Sequence, residues 1–200
     1  MKTYRTRRTG KVLVGFISIL MILTGIGFIG YPLLLGGSPL SAAGSIFKEA
    51  FGQHATAPED AEMKLTVPAM KRVEDVPVFT SVASDEATMN RGALHVEGTG
   101  FPWENGSNVY IAGHRLGYAG TGSFLVFYDL DKLENGDEVI LTDANGTTYT
   151  YTVFQEFVVN PSDYGVTQPV PGKSVVSLQT CTLPDYSQRL IVQAELTGVA

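Results

Sequence analysis

The sequence predicts an all-β domain, a closed or nearly closed antiparallel β-barrel with short helical turns, preceded by one N-terminal transmembrane helix. From residue 63 onward, short apolar runs alternate with turn residues, and few segments have the period of an amphipathic helix. Earlier in the chain, residues 12–35 form one continuous uncharged apolar run. Strands at this density favour a barrel or a sandwich, because both architectures bury one face of each strand.

The apolar run has the length of a membrane span. Its 24 residues, 12–35, would form a helix about 36 Å long, enough for roughly 30 Å of hydrocarbon. Residues 1–11, a basic tail without acidic side chains, favour a cytoplasmic N-terminus. A signal peptide cleaved near Ser41, Ala42 and Ala43 is the alternative, but its apolar region is usually only about 7 to 15 residues long. We therefore expect a single-pass protein of the cell membrane whose C-terminal domain is extracellular.

Residues 36–62 are predicted to form an extracellular stalk, because they are rich in Gly, Ser, Pro and Ala and lack clear periodicity. The folded domain is predicted to span residues 63–200. Beyond residue 35 the chain carries 9 basic and 20 acidic side chains, with no basic stripe. Neutralising phosphates requires clustered Lys and Arg, so we expect no nucleic-acid partner.

The strands are predicted from short segments rich in β-branched and aromatic residues. In chain order they are MKLTVPAM, which ends near a proline, VPVFTSVA, SNVYIAGH, DEVILTD, TTYTYTVFQEFVV, KSVVSLQT and RLIVQAEL. Residues 143–146, Asp-Ala-Asn-Gly, are typical of a hairpin turn between two of these strands. Residues 124–134, FLVFYDLDKLE, are the best candidate for a short helix or helical turn.

Cys181 is the only cysteine in the chain. It cannot form an intramolecular disulfide, and an unpaired thiol is a liability in an oxidising compartment. A buried cysteine that acts as a small hydrophobe is one interpretation. A nucleophile is the other, and it would need a basic or cationic neighbour, because only about 3% of a thiol with a pKa near 8.5 is ionised at pH 7. Acyl transfer would also need a donor for the oxyanion.

The partners of this thiol are sought among three histidines and the arginine that follows it. His54 lies in the predicted stalk. His95 lies in a predicted turn region, where a packing or hydrogen-bonded role is favoured. His114 ends the run VYIAGH, so the end of a buried strand would hold it while leaving it accessible. Arg189 opens RLIVQAEL and, in a hairpin with KSVVSLQTC, would lie at the same end as Cys181; a surface ion pair is the alternative role.

These segments resemble the signatures of the sortases, membrane-anchored cysteine transpeptidases of Gram-positive bacteria. SLQTC is similar to their TLxTC motif, with Ser177 in place of the usual Thr. NVYIAGHR resembles the strand that ends in the catalytic His of the family, and RLIVQAEL resembles the strand that opens with its Arg. LTVPAMKRVEDVPVF and DLDKLENGDEVIL resemble further family segments, so the resemblance covers about residues 63–196.

The resemblance implies a sortase-like barrel with His114, Cys181 and Arg189 as the catalytic set. Cys181 is then the nucleophile, His114 the acid and base, and Arg189 the oxyanion donor, while Thr180 belongs to the substrate groove. The implied reaction cleaves an LPxTG or LAxTG sorting signal between Thr and Gly through a thioacyl-enzyme. The protein is then transferred to a cell-wall precursor or pilin amine. No cofactor and no metal are expected.

The compact domain, with no Asp-Pro-aromatic lid in its stalk and no C-terminal span, is most similar to class E or class D housekeeping sortases. An L,D-transpeptidase is an alternative, but it would carry a His-Gly-Cys type of motif, whereas threonines flank Cys181. Papain-like peptidases place the cysteine before the histidine, the reverse of this chain. A non-catalytic wall-binding module would need no thiol.

Overall fold

The computed structural model describes residues 56–200. Within this range the chain forms eight strands, one short α-helix and two 3₁₀ helices. The strands are β1 Met63–Thr66, β2 Val76–Ser81, β3 Ala93–Val96, β4 Asn108–Ala112, β5 Glu138–Asp143, β6 Thr148–Val159, β7 Val175–Cys181 and β8 Arg189–Val199. Helix α1 is Glu86–Met89, and the 3₁₀ helices are Leu130–Lys132 and Tyr164–Thr167.

The predicted basic tail, the predicted span 12–35 and most of the predicted stalk lie outside the described residues. No helix within residues 56–200 has the length and apolar character needed to cross a membrane.

The strands close into a barrel in the order β1-β2-β3-β4-β7-β8-β6-β5. The closed β-barrel predicted from the sequence is confirmed. Six of the eight strand pairings are antiparallel, as expected. The pairs β2–β3 and β4–β7 are parallel instead. Parallel neighbours need a crossover rather than a tight turn, and a sequence that shows only strand-length runs does not reveal such a crossover.

Strand β3 was not expected, because the sequence analysis treated the region of His95 as a turn. The strand has only four residues, and three of them are fully buried. It pairs with β2 on one side, where His95 is opposite Thr80, and with β4 on the other. Burial on both faces removes the apolar–polar alternation that usually marks a strand, so the sequence of β3 did not indicate a strand.

Helix α1 is a single turn held by its N-cap. The carboxylate of Asp85 accepts hydrogen bonds from the backbone nitrogen of Thr88 at 3.0 Å and from the hydroxyls of Thr88 and Ser81, both at 2.7 Å. These hydrogen bonds favour the ionised carboxyl and lower the pKa of Asp85 to about 2. The cap therefore fixes where α1 begins, and with it the position of Asn90 at its C-terminal end.

The other predicted turns are confirmed. The carboxylate of Asp143 accepts hydrogen bonds from the backbone nitrogens of Asn145 and Thr147, both at 2.9 Å. Gly146 has a φ of +84°, which glycine adopts without steric cost. Residues 124–134 form turns that end in the 3₁₀ helix Leu130–Lys132, as the helical-turn prediction required.

Apolar side chains fill the barrel interior. The largest fully buried ones include Leu65, Ile111, Phe127, Leu130, Leu141, Tyr149, Tyr151 and Leu178. Strand β5 alternates buried with partly or fully exposed residues, as a strand with one solvent face does. All five residues of β4 are buried. The two strands that lead to the site, β4 and β7, are thus largely enclosed.

Candidate active site

The ends of three neighbouring strands meet at one edge of the barrel. Strands β7 and β8 are antiparallel, and Cys181 is directly opposite Arg189. Strands β4 and β7 are parallel, and Ala112 is opposite Gln179. The chain leaves β4 at Ala112, so His114 follows two residues later at the same edge.

His114, Cys181 and Arg189 all line one cavity of about 490 Å³. Cys181 is a free thiol and is partly exposed. Much of the remaining lining is apolar and comes from Ala83, Met89, Val96, Ala112, Val159, Pro161 and Val166. The structure therefore brings the three predicted residues together from positions up to 75 apart in the chain. The interpretation of Cys181 as a buried hydrophobe does not agree with this exposure.

The backbone before His114 is fixed on both sides. The nitrogen of Gly113 donates a hydrogen bond to the carbonyl of Gln179 at 3.0 Å, and the hydroxyl of Thr180 donates to the carbonyl of Gly113 at 2.9 Å. The nitrogen of Phe127 donates to the carbonyl of His114 at 3.0 Å. A Cβ at Gly113 would lie 2.6 Å from Cδ2 of Phe127, so only glycine fits there.

The ring of His114 is oriented by a residue that the sequence analysis missed. Its Nε2 donates a hydrogen bond to Oδ1 of Asn90 at 3.2 Å. Its Nδ1 has no hydrogen-bond partner within residues 56–200. Partial burial lowers the pKa of His114, and the nearby charge of Glu86 opposes this effect. A neutral ring at pH 7 with an unoccupied Nδ1 is able to accept a proton.

Arg189 is held by the loop that precedes it. Its Nη1 donates hydrogen bonds to the carbonyls of Tyr186 at 3.1 Å and Gln188 at 3.0 Å. Its other guanidinium nitrogens have no partner in the part of the chain that the structure describes. Burial raises the pKa of Tyr110, whereas the charge of Arg189 lowers it, so the guanidinium lies near this tyrosine. The hydroxyl of Tyr110 donates to Oε1 of Gln179 at 2.8 Å. Arg189 is thus anchored by one nitrogen and keeps donors for a ligand.

Thr180 is almost entirely buried, with a relative exposure of 1%. Its neighbours Gln179 and Cys181 line the cavity, while its own hydroxyl binds the backbone beside His114. The predicted contact of Thr180 with substrate stays a prediction. The contact that the structure contains runs through Gly113 and fixes the end of β4.

His95 has the packing role that was favoured for it. Its side chain is fully buried. Nδ1 lies 3.1 Å from the hydroxyl of Thr80, and Nε2 lies 3.0 Å from the carbonyl of Gly100. The carbonyl can only accept, so Nε2 carries the hydrogen and Nδ1 accepts from Thr80. The ring also packs on Phe101, with centroids 4.5 Å apart.

A chain of buried polar side chains supports one wall of the cavity. Nδ2 of Asn108 donates hydrogen bonds to the carbonyls of Val166 and Gln168, both at 3.0 Å. Oδ1 of Asn108 accepts from the hydroxyl of Ser177 at 2.7 Å, and that hydroxyl accepts from Nε2 of Gln193 at 2.9 Å. Val166 lines the cavity, so this network connects strands β4, β7 and β8 to the loop between β6 and β7. No local sequence pattern indicates this connection, because it depends on three separate strands.

Residues 56–200 contain no group of three or more His, Cys, Asp and Glu side chains placed to hold a metal ion.

Comparisons with known proteins agree with this geometry. A family model of the sortase domain matches residues 65–197. The chain belongs to the sortase family. It is 33% identical over 127 residues to sortase A of Streptococcus agalactiae serotype III (strain NEM316), an alignment that covers 61% of this chain and 48% of that protein. This sortase therefore spans about half the length of the curated relative that it matches.

Solved sortase structures share the barrel. Sortase A from Corynebacterium diphtheriae is 27% identical with a TM-score of 0.61, and the match covers 72% of this chain and 64% of that one. Sortase C from Streptococcus pneumoniae is 26% identical with a TM-score of 0.59, covering 68% of this chain and 65% of that one. Membership of class D or class E stays a prediction.

Proposed function

We propose that this sortase is a cysteine transpeptidase. In this proposal it cleaves a sorting signal of the LPxTG or LAxTG type between Thr and Gly and transfers the protein to an amine. The observation that carries the proposal is the convergence of a partly exposed lone thiol, an imidazole and a guanidinium on one cavity. Cysteine acyl transfer requires these three functions: a nucleophile, an acid and base, and an oxyanion donor.

The first half of the reaction forms a thioester. His114 takes the proton of the Cys181 thiol through its unoccupied Nδ1, and the sulfur attacks the carbonyl carbon of the Thr in the signal. Arg189 donates hydrogen bonds to the oxyanion through guanidinium nitrogens that have no partner in the described residues. As the C–N bond breaks, His114 returns the proton to the departing Gly amine.

The cavity lining favours the apolar part of such a signal. Leu and Pro, or Leu and Ala, are uncharged and would pack against Val96, Val159, Pro161 and Val166. The Thr that precedes the cleaved bond would then lie next to Cys181. The network behind Asn108 holds Val166, so it would also hold the wall that contacts the peptide.

The acceptor and the location are part of the same proposal. The acceptor is an amine of a cell-wall precursor or of a pilin. Sortase C of Streptococcus pneumoniae is described by its pilin substrate specificity, which supports the second possibility. The uncharged residues 12–35 and the basic residues before them support a membrane anchor with the catalytic domain outside the cell.

Mass spectrometry tests the proposal directly. The full chain is incubated with LPxTG and LAxTG peptides, with and without an amine. The expected result is an adduct on Cys181 with the mass of the peptide up to Thr, together with release of the Gly-containing fragment. Added amine should convert the adduct into a new amide.

Three outcomes would contradict the proposal. They are cleavage at another bond, acylation of a residue other than Cys181, and unchanged peptides in the presence of a folded protein. Rapid labelling of Cys181 by iodoacetamide is a further requirement, because a wall-binding module with a structural thiol would react slowly.

A further inference from the structure

A second cavity also opens at Cys181. It has a volume of about 230 Å³, and its lining includes Glu86, His114, Tyr118, Cys181 and Tyr186. His114 and Cys181 line this cavity as well as the larger one, so they separate the two spaces. Once an acyl group occupies the larger cavity, the second cavity offers an incoming molecule another route to the thioester.

The second cavity carries a negative charge that no cation of the described chain neutralises. Glu86 is exposed and forms no ion pair within residues 56–200. The only other charged side chain of the lining, Arg115, is paired with Asp131 at 2.5 Å. The carboxylate of Glu86 is therefore the unpaired charge of this space, and it attracts cations.

Aromatic groups surround this carboxylate. Tyr118 is 60% exposed on the same lining, and the nearby carboxylate of Glu86 raises the pKa of Tyr118. The ring of Tyr118 meets the ring of His114 edge-on, with centroids 6.4 Å apart. Tyr186 is 41% exposed on the same lining. A carboxylate beside aromatic rings is a suitable environment for an ammonium group, which binds to both.

We propose that this second cavity binds the acceptor as an ammonium ion, with Glu86 as the carboxylate that selects it. This inference rests on the transpeptidase function proposed above. The amine of a lysine side chain has a pKa near 10.4 and arrives protonated at neutral pH. An uncharged or anionic nucleophile gains nothing from Glu86. The structure thus favours amines over water and alcohols as acceptors.

Each proton of the second half-reaction then has a defined donor and acceptor. The bound ammonium gives one proton to neutral His114, and the free amine attacks the thioester carbon. As the C–N bond forms and the C–S bond breaks, the second proton passes from nitrogen to the sulfur of Cys181. His114 releases its proton to solvent, so the enzyme returns to its starting state with one proton set free.

The test compares charged and uncharged nucleophiles on the same acyl-enzyme. The full chain is acylated with an LPxTG peptide, then treated with Nα-acetyl-lysine amide, which has one ammonium, or with hydroxylamine, which is mostly uncharged at pH 7.5. Glu86→Gln should raise the KM for the lysine amine about twofold to fivefold, the range for one solvent-exposed ion pair. The KM for hydroxylamine should change much less, because this nucleophile is mostly uncharged and has no ammonium for Glu86 to bind. Glu86→Lys should raise the KM for the lysine amine further.

Glu138→Gln is the matched control, because Glu138 is exposed on β5. The neighbours of β5 in the barrel are β1 and β6, so it does not adjoin β4, β7 or β8. The substitution removes the same charge and should leave all the rates unchanged. Equal changes for both nucleophiles in Glu86→Gln would overturn the inference, because they would indicate a displaced α1 rather than lost ammonium binding. An unchanged KM for the lysine amine would overturn it as well. The absence of any acyl-enzyme in the unmutated chain would instead refute the transpeptidase function itself.

Discussion

The edge of this barrel and its buried strand positions use polar side chains in opposite ways. The candidate catalytic rim, His114, Cys181 and Arg189, is partly exposed and keeps hydrogen-bonding capacity without partners in residues 56–200. The buried polar layer, His95, Asn108, Ser177 and Gln193, is almost fully enclosed and hydrogen-bonded throughout. Unused donors and acceptors can act on a substrate, whereas satisfied buried ones specify a fold. Substitutions should therefore separate activity from stability along this division.

The largest effect is expected from Cys181→Ala. The variant should form no thioester and no transfer product, because no other thiol exists in the chain. Its thermal unfolding should match that of the parent, since Cys181 is partly exposed at the end of β7. Peptide mass spectrometry and a melting curve measure the two quantities. Residual thioester formation would show that Cys181 is not the nucleophile.

Arg189→Lys should lower kcat/KM by about 10²- to 10³-fold, the usual cost of losing one oxyanion donor. A lysine ammonium is a point charge and cannot bind Tyr186 and Gln188 while also presenting separate donors to an oxyanion. Stability should change little. Steady-state peptide cleavage measures the effect, and nearly unchanged turnover would refute the assigned role.

Unlike the two substitutions at the rim, Asn108→Ala should mainly reduce stability. It should lower the free energy of unfolding by about 1–3 kcal/mol. The substitution leaves the carbonyls of Val166 and Gln168 and the hydroxyl of Ser177 without their partner. The loop that these carbonyls belong to lines the cavity, so KM for the peptide should rise more than kcat falls. Denaturant unfolding and a KM-to-kcat comparison check both parts.

Gln155→Ala is the control for Asn108→Ala. Gln155 bonds to Gln193 at 2.6 Å, at the far end of the same polar chain and on an exposed position of β6. Its loss removes one hydrogen bond rather than three, so it should lower the free energy of unfolding less than Asn108→Ala does and leave the KM for the peptide unchanged. If the two variants had equal effects on KM, the connection from Asn108 to the cavity wall would be wrong.

The smallest effect on catalysis is expected from His95→Ala, which should retain much of its activity while losing stability. Burial lowers the pKa of His95 below the value near 6.5 of an unfolded chain. The unfolded state therefore binds more protons as the pH falls, and the stability present above about pH 6.5 decreases below it.

The pH dependence of unfolding distinguishes His95 from His114. Below about pH 6.5, His95→Ala should show a weaker decrease in stability than the parent, because the residue that resists protonation is gone. The lowered pKa of His114 contributes a decrease of the same sign, so some slope should remain. A complete loss of activity in folded His95→Ala would show that the two histidines were ranked wrongly.

The rim was predictable because each of its residues lies at a strand end that the sequence marks. Cys181 closes one apolar run, Arg189 opens the next, and His114 follows a third. Asn90 and Glu86 were not predictable, since Glu86 begins and Asn90 caps a one-turn helix that has no periodic pattern. Their relation to His114 depends on how α1 is held next to the site. Strand β3 and the two parallel pairings were missed for a similar reason, because burial and crossovers do not show in a local pattern.

By itself, the sequence determined the β-rich domain, the strand segments and the identity of the residues at the rim. These features follow from local periodicity and from the chemistry of single side chains. The tertiary structure decided that β4 and β7 are parallel, that Asn90 orients His114, and that two cavities meet at Cys181. Each of these features joins segments that are distant in the chain. Only the closure of the barrel brings those segments within hydrogen-bonding distance.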